Sequence, residues 1–428
     1  MTPPAARAER LGRRFRAIRN VTLRLCDTLS PEDCAAQSMP DASPAKWHLA
    51  HTSWFFETFV CKPEIADYRP FHPRFEYLFN SYYNAVGEQY SRPDRGLLTR
   101  PSFDEVLDYR AHVEAQMTAL LEDPERLDEA KLDVIELGLH HEQQHQELLL
   151  TDVKHLLSHN PLAPAFRPAK EPANSAIQSL VWHAHRGGLV EIGHEASGPR
   201  FAFDNEGPRH RVHLAPFEFA SRPIRNGEYL AFMQDGGYEK PELWLSEGWA
   251  KVQEAGWTAP LYWQAEEAGW AQFTLAGLRP VRPEEPVCHV SLFEADAFAR
   301  WAGCRLPTEA EWEVVAAGMP VEGNLLESGR LHPEVAQRPT DDGPLQLFGD
   351  VWEWTSSAYA AYPGYRPAAG ALGEYNGKFM SSQIVLKGGS CASPRSHLRA
   401  SYRNFFPPDA RWQFSGIRLA RDASTPGR

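Results

Sequence analysis

The chain has 428 residues, of which 43% are hydrophobic and 23% are charged. Because this is the composition of a folded globular protein, a disordered or collagen-like chain is excluded, and the length favours at least two domains. The formal net charge of −12 argues against nucleic acid or a membrane surface as the main partner. No apolar run approaches the ~20 residues that span a bilayer, and the Arg-rich N-terminus lacks the apolar segment of a secretory signal. We therefore expect a soluble, cytoplasmic protein.

Residues 1–160 are predicted to form a helical domain. Apolar residues recur there at spacings of three and four. Ser43 and Pro44 are interpreted as the N-cap and first residue of one helix, and Ser102 with Glu105 is typical of a capping box. Four helices are predicted, at residues 7–25, 44–59, 102–121 and 127–157. Together they indicate a four-helix bundle whose inner faces carry a ligand site.

The second half differs in composition. Residues 161–176 are rich in proline and are predicted to form a stiff linker. Residues 177–428 are rich in Gly, Pro and Trp and contain short apolar runs, such as 189–192 and 384–386. One stretch with helical periodicity stands out, at 292–301. We expect an α+β or largely irregular domain.

The most informative local pattern is His141-Glu142-Gln-Gln-His145. On a helix, positions i and i+4 lie on one face about 6 Å apart, so both imidazoles can bind one metal ion. The same spacing occurs in zinc proteases, where the glutamate is a general base. The extended protease motif requires Gly and His where this chain has Leu148 and Thr151. A zinc protease is therefore only a distant alternative.

A third metal ligand is available in the preceding helix, where either His48 or His51 could face the bundle axis. Three neutral imidazoles without a carboxylate leave coordination positions open, which suits an Fe(II) site that takes both O2 and a substrate. The alternative is that these are core histidines bonded to backbone carbonyls. His155 and His159 lie ~21 Å along the helix beyond His141 and His145 respectively, too far to share their ion, and are expected to be structural.

Three runs in the first half resemble the EgtB family, the iron-dependent sulfoxide synthases of ergothioneine biosynthesis. They are Pro44–Glu57, Asn80–Gly87 and His140–Leu150. The resemblance implies a mixed two-domain fold, α followed by α/β. It consists of an N-terminal DinB-like four-helix bundle and a C-terminal formylglycine-generating-enzyme-like (sulfatase-modifying factor, C-type-lectin-like) α+β domain. The markers of the second domain are Arg305–Glu313, Gly349–Trp354, Gly388–Ser390 and Gly416–Leu419.

The resemblance implies that His51, His141 and His145 bind Fe(2+). It also implies that the enzyme uses O2 to join a thiol to C2 of the hercynine imidazole and oxidises the sulfur to a sulfoxide. Gln144 is implied to contact that imidazole. A monomer or a small homo-oligomer, without nucleic-acid or membrane partners, is expected.

The remaining substrate contacts are carried over position by position. Asn404 and Phe405 are implied to hold the betaine, since an aromatic face suits a quaternary ammonium. Trp412 is a further candidate for this contact, with packing inside its own domain as the alternative. Arg92 and Arg95 match the arginines that bind the carboxylate of the thiol, for which a guanidinium is well shaped. The alternative is a pair of surface arginines.

Two departures from the family bear on the co-substrate. Members that use γ-glutamylcysteine have Trp-Asp where this chain has Phe405-Phe406, so free cysteine is predicted instead. The segment Gly87–Arg92 also departs from the form expected of cysteine-using members. A selenoneine synthase (SenA), which would join hercynine to a selenosugar, is therefore the close alternative. A non-enzymatic binding module is a distant one.

The catalytic tyrosine is also assigned by resemblance. Some members place it after the Trp-Glu-Trp motif, but residues 365–375 contain no clear match, although Tyr375 matches a nearby substrate contact. A second EgtB type uses the Tyr pair of the Ser-Tyr-Tyr motif. Tyr82 and Tyr83 are therefore predicted to include the phenol that delivers a proton or an electron during C–S bond formation.

Overall fold

The computed structural model describes residues 4–170, 179–195, 201–336 and 343–423. Its contacts divide the chain into two units. The bundle unit comprises Met1–Leu162 and Pro367–Tyr375, and the mixed unit comprises Ala163–Arg366 and Asn376–Arg428. No helix in the described part of the chain is long and apolar enough to cross a membrane.

The bundle unit is built on four long helices, as predicted. Its helices are α1 (Pro4–Arg24), α2 (Pro31–Ala35), α3 (Ala45–Phe56), α4 (Lys62–Glu64), α5 (Phe75–Phe79), α6 (Phe103–Leu121) and α7 (Glu129–Ser158). Helices α1 and α3 each pack against both α6 and α7. Every residue of α3 is buried, because α3 is apolar on nearly all sides and occupies the interior. Its two histidines are therefore shielded from water.

The start of α6 agrees with the capping signal in the sequence, whereas the start of α3 does not. Ser102 Oγ accepts the N–H of Glu105 at 3.2 Å, and the Glu105 carboxylate accepts the N–H of Ser102 at 2.7 Å, which confirms the capping box. The predicted N-cap at Ser43 is wrong, because Pro44 occupies that position and α3 begins one residue later. The Ser43 hydroxyl instead accepts a hydrogen bond from Arg95.

A buried charge network joins α1, α6 and α7. The Glu142 carboxylate accepts from Arg110 at 2.5 Å, from Arg19 at 3.2 Å and from the Thr22 hydroxyl at 2.7 Å. Glu114 completes the network with contacts of 2.8 Å to Arg19 and 3.2 Å to Arg110. Burial opposes ionisation of Glu142, but Arg110 and Arg19 hold its pKa at about 2. Both oxygens of Glu142 are thus committed to structural contacts.

The mixed unit contains four small sheets and four helices among its described residues. Its strands are β1 (Trp182–His185), β2 (Gly188–Ile192), β3 (His210–Leu214), β4 (Phe217–Ala220), β5 (Trp263–Glu266), β6 (Gly269–Thr274), β7 (Gly277–Pro280), β8 (Trp352–Ala358), β9 (Ile384–Lys387), β10 (Asn404–Phe406), β11 (Ser415–Gly416) and β12 (Ala420–Asp422). Its helices are α8 (Asn226–Gln234), α9 (Ser246–Ala255), α10 (Leu292–Trp301) and α11 (Glu309–Ala316). The sheet orders are β1-β4-β12, β10-β9-β8-β11, β2-β3 and β5-β6-β7, and only the β8–β11 pair is parallel. The apolar runs at 189–192 and 384–386 lie in β2 and β9, and the predicted helix at 292–301 is confirmed as α10.

Three of the sequence markers meet in the core of the mixed unit. Glu353 accepts from Trp312 Nε1 at 2.7 Å and from Arg418 Nε at 2.8 Å, and all three side chains are fully buried. Gly388, from the fourth marker, has φ +99°, and a Cβ there would lie 2.5 Å from the Leu347 carbonyl oxygen. This position therefore requires glycine.

The proline-rich segment is only partly described. Residues 161–170 include Phe166, which is buried and whose backbone N–H donates to the Leu275 carbonyl at 2.9 Å. Residues 163–170 of the predicted linker therefore pack as part of the mixed unit, whereas residues 161 and 162 belong to the bundle unit. Residues 171–176 lie outside the described residues, so the linker limits stay a prediction.

Candidate metal centre

Three buried histidines converge in the interior of the bundle unit. His51 comes from α3, and His141 and His145 come from successive turns of α7. Their ligand atoms all lie within 4.8 Å of one another, and His51 Nε2 lies 3.2 Å from His141 Nε2. Among the residues that the structure describes, this is the one such group of three His, Cys, Asp or Glu. The structure thus brings together the three histidines predicted as ligands.

The electrostatics of this cluster suit a cation. Burial lowers the pKa of all three histidines, that of His141 to about 3, and the neighbouring imidazoles lower those of His51 and His145 further. All three rings are therefore neutral at pH 7 and retain a lone pair, as metal binding requires. An all-imidazole donor set without a carboxylate fits a divalent first-row transition metal.

His51 is held in one orientation by its surroundings. Its Nδ1 donates to the Phe79 carbonyl at 2.6 Å, and its ring stacks on Trp47 and Trp54 at centroid distances of 4.6 and 5.3 Å. Nε2 is therefore the nitrogen that faces the histidine cluster. This answers the question that the sequence left open between the two histidines of α3.

His48 occupies a different place. Its Nδ1 lies 2.8 Å from His145 Nδ1, and its Nε2 lies 3.0 Å from Asp152 Oδ2. His48 thus contacts His145 and is not itself one of the three clustered histidines. Sequence reasoning missed this pair, although Asp152 follows His145 by seven residues, two helical turns on the same face.

The glutamate of the HEQQH motif points elsewhere. Because Glu142 is bound by Arg19 and Arg110, it is unavailable as the general base of a zinc protease. These two contacts argue against the zinc-protease alternative, which requires Glu142 as a free general base.

A segment from the second half of the sequence packs within the bundle unit. We call Pro367–Tyr375 the strap. The Glu374 carboxylate accepts the backbone N–H groups of Asn84 and Ala85 at 3.1 and 2.8 Å. The Tyr375 ring lies 5.7 Å from the His141 ring, and its hydroxyl donates to Gln144 Oε1. Two predicted substrate contacts, Gln144 and Tyr375, thus lie together beside the metal centre.

The predicted catalytic tyrosines adjoin the strap. Tyr82 and Tyr83 stack at 4.6 Å, and Tyr82 lies 6.4 Å from Tyr375 between ring centroids. Tyr83 is fully buried against Trp54, whereas Tyr82 is half-buried. Burial, reinforced by Tyr82 and Tyr375, raises the pKa of Tyr83 well above its usual value. The Tyr83 phenol therefore keeps its proton at neutral pH.

The two predicted anion-binding arginines differ in their surroundings. Arg95 is buried, donates to Ser43 Oγ at 2.9 Å and to Ser81 Oγ at 3.3 Å, and lies 3.4 Å above the Trp47 ring. Burial and the nearby charge of Arg92 lower the pKa of Arg95 to about 8. Arg95 forms no ion pair among the described residues, although the charge of Asp152 offsets part of the lowering of its pKa. Arg92 is exposed and donates to the Asp41 carbonyl.

The remaining predicted substrate contacts belong to the mixed unit. Asn404, Phe405 and Phe406 form β10, an edge strand paired with β9. The Phe405 ring stacks on Tyr359 at 4.0 Å and 10°, and Phe406 meets Trp412 edge-on at 5.9 Å. All four predicted residues are half-buried. Phe405 thus has a fixed orientation.

His155 has a structural role, but not through a charge at the helix end. Its Nδ1 lies 2.7 Å from Ser38 Oγ, and its ring contacts His159 at 4.5 Å. Burial, together with His159, lowers the pKa of His155 to about 4. It is neutral at pH 7 and therefore places no positive charge at the end of α7.

Comparison with known proteins covers both units. Residues 14–149 match the family described as the DinB superfamily, and residues 169–423 match the family described as the sulfatase-modifying factor enzyme 1-like domain. These matches confirm the predicted two-domain fold. A formylglycine-generating enzyme of Streptomyces coelicolor is 30% identical over 61% of this chain and 96% of its own length.

Several relatives match nearly the whole chain. A hercynine oxygenase of Mycolicibacterium thermoresistibile is 33% identical over 97% of this chain and 95% of its own length. A hercynine oxygenase of Mycobacterium tuberculosis is 34% identical over 99% of this chain and 100% of its own length. The chain therefore belongs to the hercynine oxygenase family.

Proposed function

We propose that this protein is an iron(II)-dependent enzyme that uses O2 to join the sulfur of cysteine to imidazole C2 of hercynine, giving a sulfoxide. The observation that carries the proposal is the cluster of His51, His141 and His145 in a chain of the hercynine oxygenase family. A relative in Schizosaccharomyces pombe, named ergothioneine biosynthesis protein 1, is 27% identical over 52% of this chain and supports the same pathway. Other thiols and a selenosugar are alternatives that the experiment below distinguishes.

The reaction balances with O2 as the oxidant. One hydrogen leaves imidazole C2 and one leaves the thiol, and both end in water with one oxygen atom of O2. The other oxygen atom ends on sulfur. The electrons that reduce O2 come in equal parts from forming the C–S bond and from oxidising the sulfur. When bound, the iron supplies activation of O2 and a place for the substrates to meet.

The residues of the chain bind and orient the substrates. Gln144 and Tyr375, which share a hydrogen bond beside His141, are proposed to position the hercynine imidazole. Phe405 offers an aromatic face, stacked on Tyr359, for the trimethylammonium group. Asn404, Phe406 and Trp412 are proposed to complete the substrate contacts of the mixed unit.

Arg95 is proposed to bind the carboxylate of the thiol. A buried guanidinium bonded only to hydroxyl groups bears the cost of an unpaired charge, which a carboxylate ligand would offset. Free cysteine is favoured because Phe406 occupies the place of an Asp that pairs with the amino group of γ-glutamylcysteine in other members.

Substitution of Arg95 by Gln is expected to raise the KM for cysteine about 10- to 100-fold. This range corresponds to the free energy that a charge-assisted hydrogen bond usually contributes to binding. The KM for hercynine should change far less. Steady-state kinetics with each substrate varied in turn measures both. Arg74→Gln, at an exposed arginine above the Tyr77 ring, is the control and should leave both constants unchanged. Equal effects of Arg95→Gln on the two substrates would contradict this assignment.

The phenols of Tyr82 and Tyr83 are proposed to include the proton or electron donor. Since the pKa of Tyr83 is raised, its hydroxyl is protonated at working pH and can donate. Phe substitutions at 82 and 83, singly and together, are expected to lower sulfoxide formation about 100-fold or more and to raise the share of oxidised thiol. Product ratios by mass spectrometry measure this. Tyr77→Phe, at a ring that packs on Tyr90, is the control. An unchanged rate and ratio in the single and double variants would refute this role for Tyr82 and Tyr83.

The central test is aerobic incubation of the Fe(II)-loaded protein with hercynine. Cysteine, γ-glutamylcysteine and a selenosugar are offered separately, and adducts are identified by mass. We expect the cysteine sulfoxide as the main product. A C–Se adduct as the main product would favour the selenoneine alternative. That alternative is supported by the segment Gly87–Arg92, which departs from the form expected of cysteine-using members. The absence of any hercynine adduct would refute the proposal.

A further inference from the structure

A chain of buried polar contacts leads away from the histidine cluster. It runs from His145 through His48 and Asp152 to Ser43, and all four side chains lie in the interior of the bundle unit. We propose that His48 and Asp152 are positioning residues that fix the proton of His145 on Nδ1 and so direct its Nε2 lone pair at the metal. This inference rests on the proposed function for the identity of the ion, but its geometry is that of the chain alone.

We call this chain of contacts from His145 to Ser43 the relay. Asp152 determines in which direction its hydrogen bonds are donated. Its Oδ2 accepts the backbone N–H of Ser43 at 2.8 Å and lies 3.0 Å from His48 Nε2. A carboxylate oxygen is an acceptor, so the proton between them belongs to His48 Nε2. The Asp152 side chain is 7% exposed, so water competes little for the same oxygen.

The order of donors then continues to the metal ligand. An imidazole with its proton on Nε2 presents Nδ1 as an acceptor. His48 Nδ1 therefore accepts the N–H of His145 Nδ1, 2.8 Å away. With that nitrogen protonated, the lone pair of His145 lies on Nε2. A carboxylate behind a ligating histidine fixes its tautomer and raises its basicity, and here a second imidazole transmits the effect.

The three histidines of the cluster differ in this support. His51 donates to the neutral carbonyl of Phe79, and His141 Nδ1 has no hydrogen-bond partner among the described residues. Within the described part of the chain, His145 is the one member of the cluster that hydrogen-bond contacts link to a carboxylate. We therefore expect His145 to be the ligand whose strength depends most on its supporting residues.

The relay also reaches the proposed anion site. Ser43, whose backbone N–H is bound by Asp152, accepts from Arg95 through its hydroxyl. The ring of Trp47 lies under Arg95 and stacks on His51. One small set of buried side chains thus supports both the proposed metal ligands and the cation beside them.

The first test reads the tautomers directly in the unmodified, metal-free protein. Long-range 1H–15N correlation spectra of protein labelled with 15N-histidine distinguish Nδ1–H from Nε2–H imidazoles, and His48→Gln and His145→Gln spectra assign the signals. We expect His48 to carry its proton on Nε2 and His145 on Nδ1. A proton on Nδ1 of His48 would overturn the proposal, whatever metal the protein binds.

The second test measures metal affinity. Anaerobic competition of the metal-free protein with a chelator for Fe(II) is expected to give about 10- to 100-fold weaker binding for Asp152→Asn than for the unmodified protein. Asp133→Asn is the matched control, since Asp133 lies exposed on the same helix and pairs with Arg7. Its affinity should remain unchanged.

The outcomes separate the two proposals. If the unmodified protein binds no Fe(II), the proposed function fails. If the unmodified protein and Asp152→Asn bind Fe(II) equally well, only the relay fails. Thermal unfolding of the metal-free variants shows whether a loss of affinity reflects a loss of structure, and the tautomer spectra decide independently if Asp152→Asn does not fold.

Discussion

Substitution of His51, His141 or His145 by Gln is expected to abolish stoichiometric iron and to reduce product formation about a thousandfold or more. The reason is that each side chain supplies one of three imidazole nitrogens gathered within 4.8 Å, and this group includes no carboxylate from the described residues. A bound metal ion contributes several kcal/mol to lowering a barrier, and its loss forfeits that amount. Metal analysis and the mass assay for the hercynine adduct measure the two losses.

Gln is preferred over Ala in this experiment because all three rings are buried. His51 is packed between two tryptophans, so truncation would leave a cavity and lower stability as well as metal binding. His159→Gln is the control, since His159 is exposed at the end of α7. A cluster variant that retained one iron per chain and normal product formation would contradict the assignment of that ligand.

The second large effect concerns stability. Glu142→Gln is expected to lower the free energy of unfolding of the metal-free protein by about 3–5 kcal/mol, because it leaves two buried arginines without their principal partner. Arg19 and Arg110 are both almost completely buried and cannot turn to solvent. Urea unfolding followed by circular dichroism measures the change.

Glu114→Gln provides the matched comparison for this prediction. Glu114 contacts the same two arginines, but its side chain is 32% exposed, so its removal should cost much less. The folded Glu142→Gln protein should still bind iron, since the carboxylate accepts from Arg19, Arg110 and Thr22 and is not a member of the histidine cluster. If Glu142→Gln were as stable as the unmodified protein, the network would not support the bundle.

The predictions that succeeded rest on contacts between residues close in sequence. The capping box at Ser102 and the start of α10 at Leu292 depend on side chains three or four residues away. The spacing of His141 and His145 places both on one helix face whatever the rest of the fold does. The choice between the two histidines of α3 required the contact of His51 Nδ1 with the Phe79 carbonyl, which joins residues 28 positions apart.

The features that were missed depend on residues far apart in the chain. The carboxylate behind His48 lies 104 residues further along, and the arginines that bind Glu142 come from two other helices. The N-cap predicted at Ser43 was wrong for the same reason, since Arg95, 52 residues away, donates to the hydroxyl that was expected to cap α3. Local preference does not reveal such competition. Family resemblance supplied candidate substrate contacts, but not the stacking of Phe405 on Tyr359.

The strap has a consequence for how such proteins diverge and can be recombined. Tyr375 and Glu374 are encoded in the C-terminal half of the chain, yet they pack in the bundle unit. An exchange of C-terminal halves between two relatives would therefore replace a ring beside His141 along with the whole mixed unit. A bundle expressed from residues 1–162 alone would lack that ring. The C-terminal half that such an exchange replaces is therefore not the same set of residues as either packed unit.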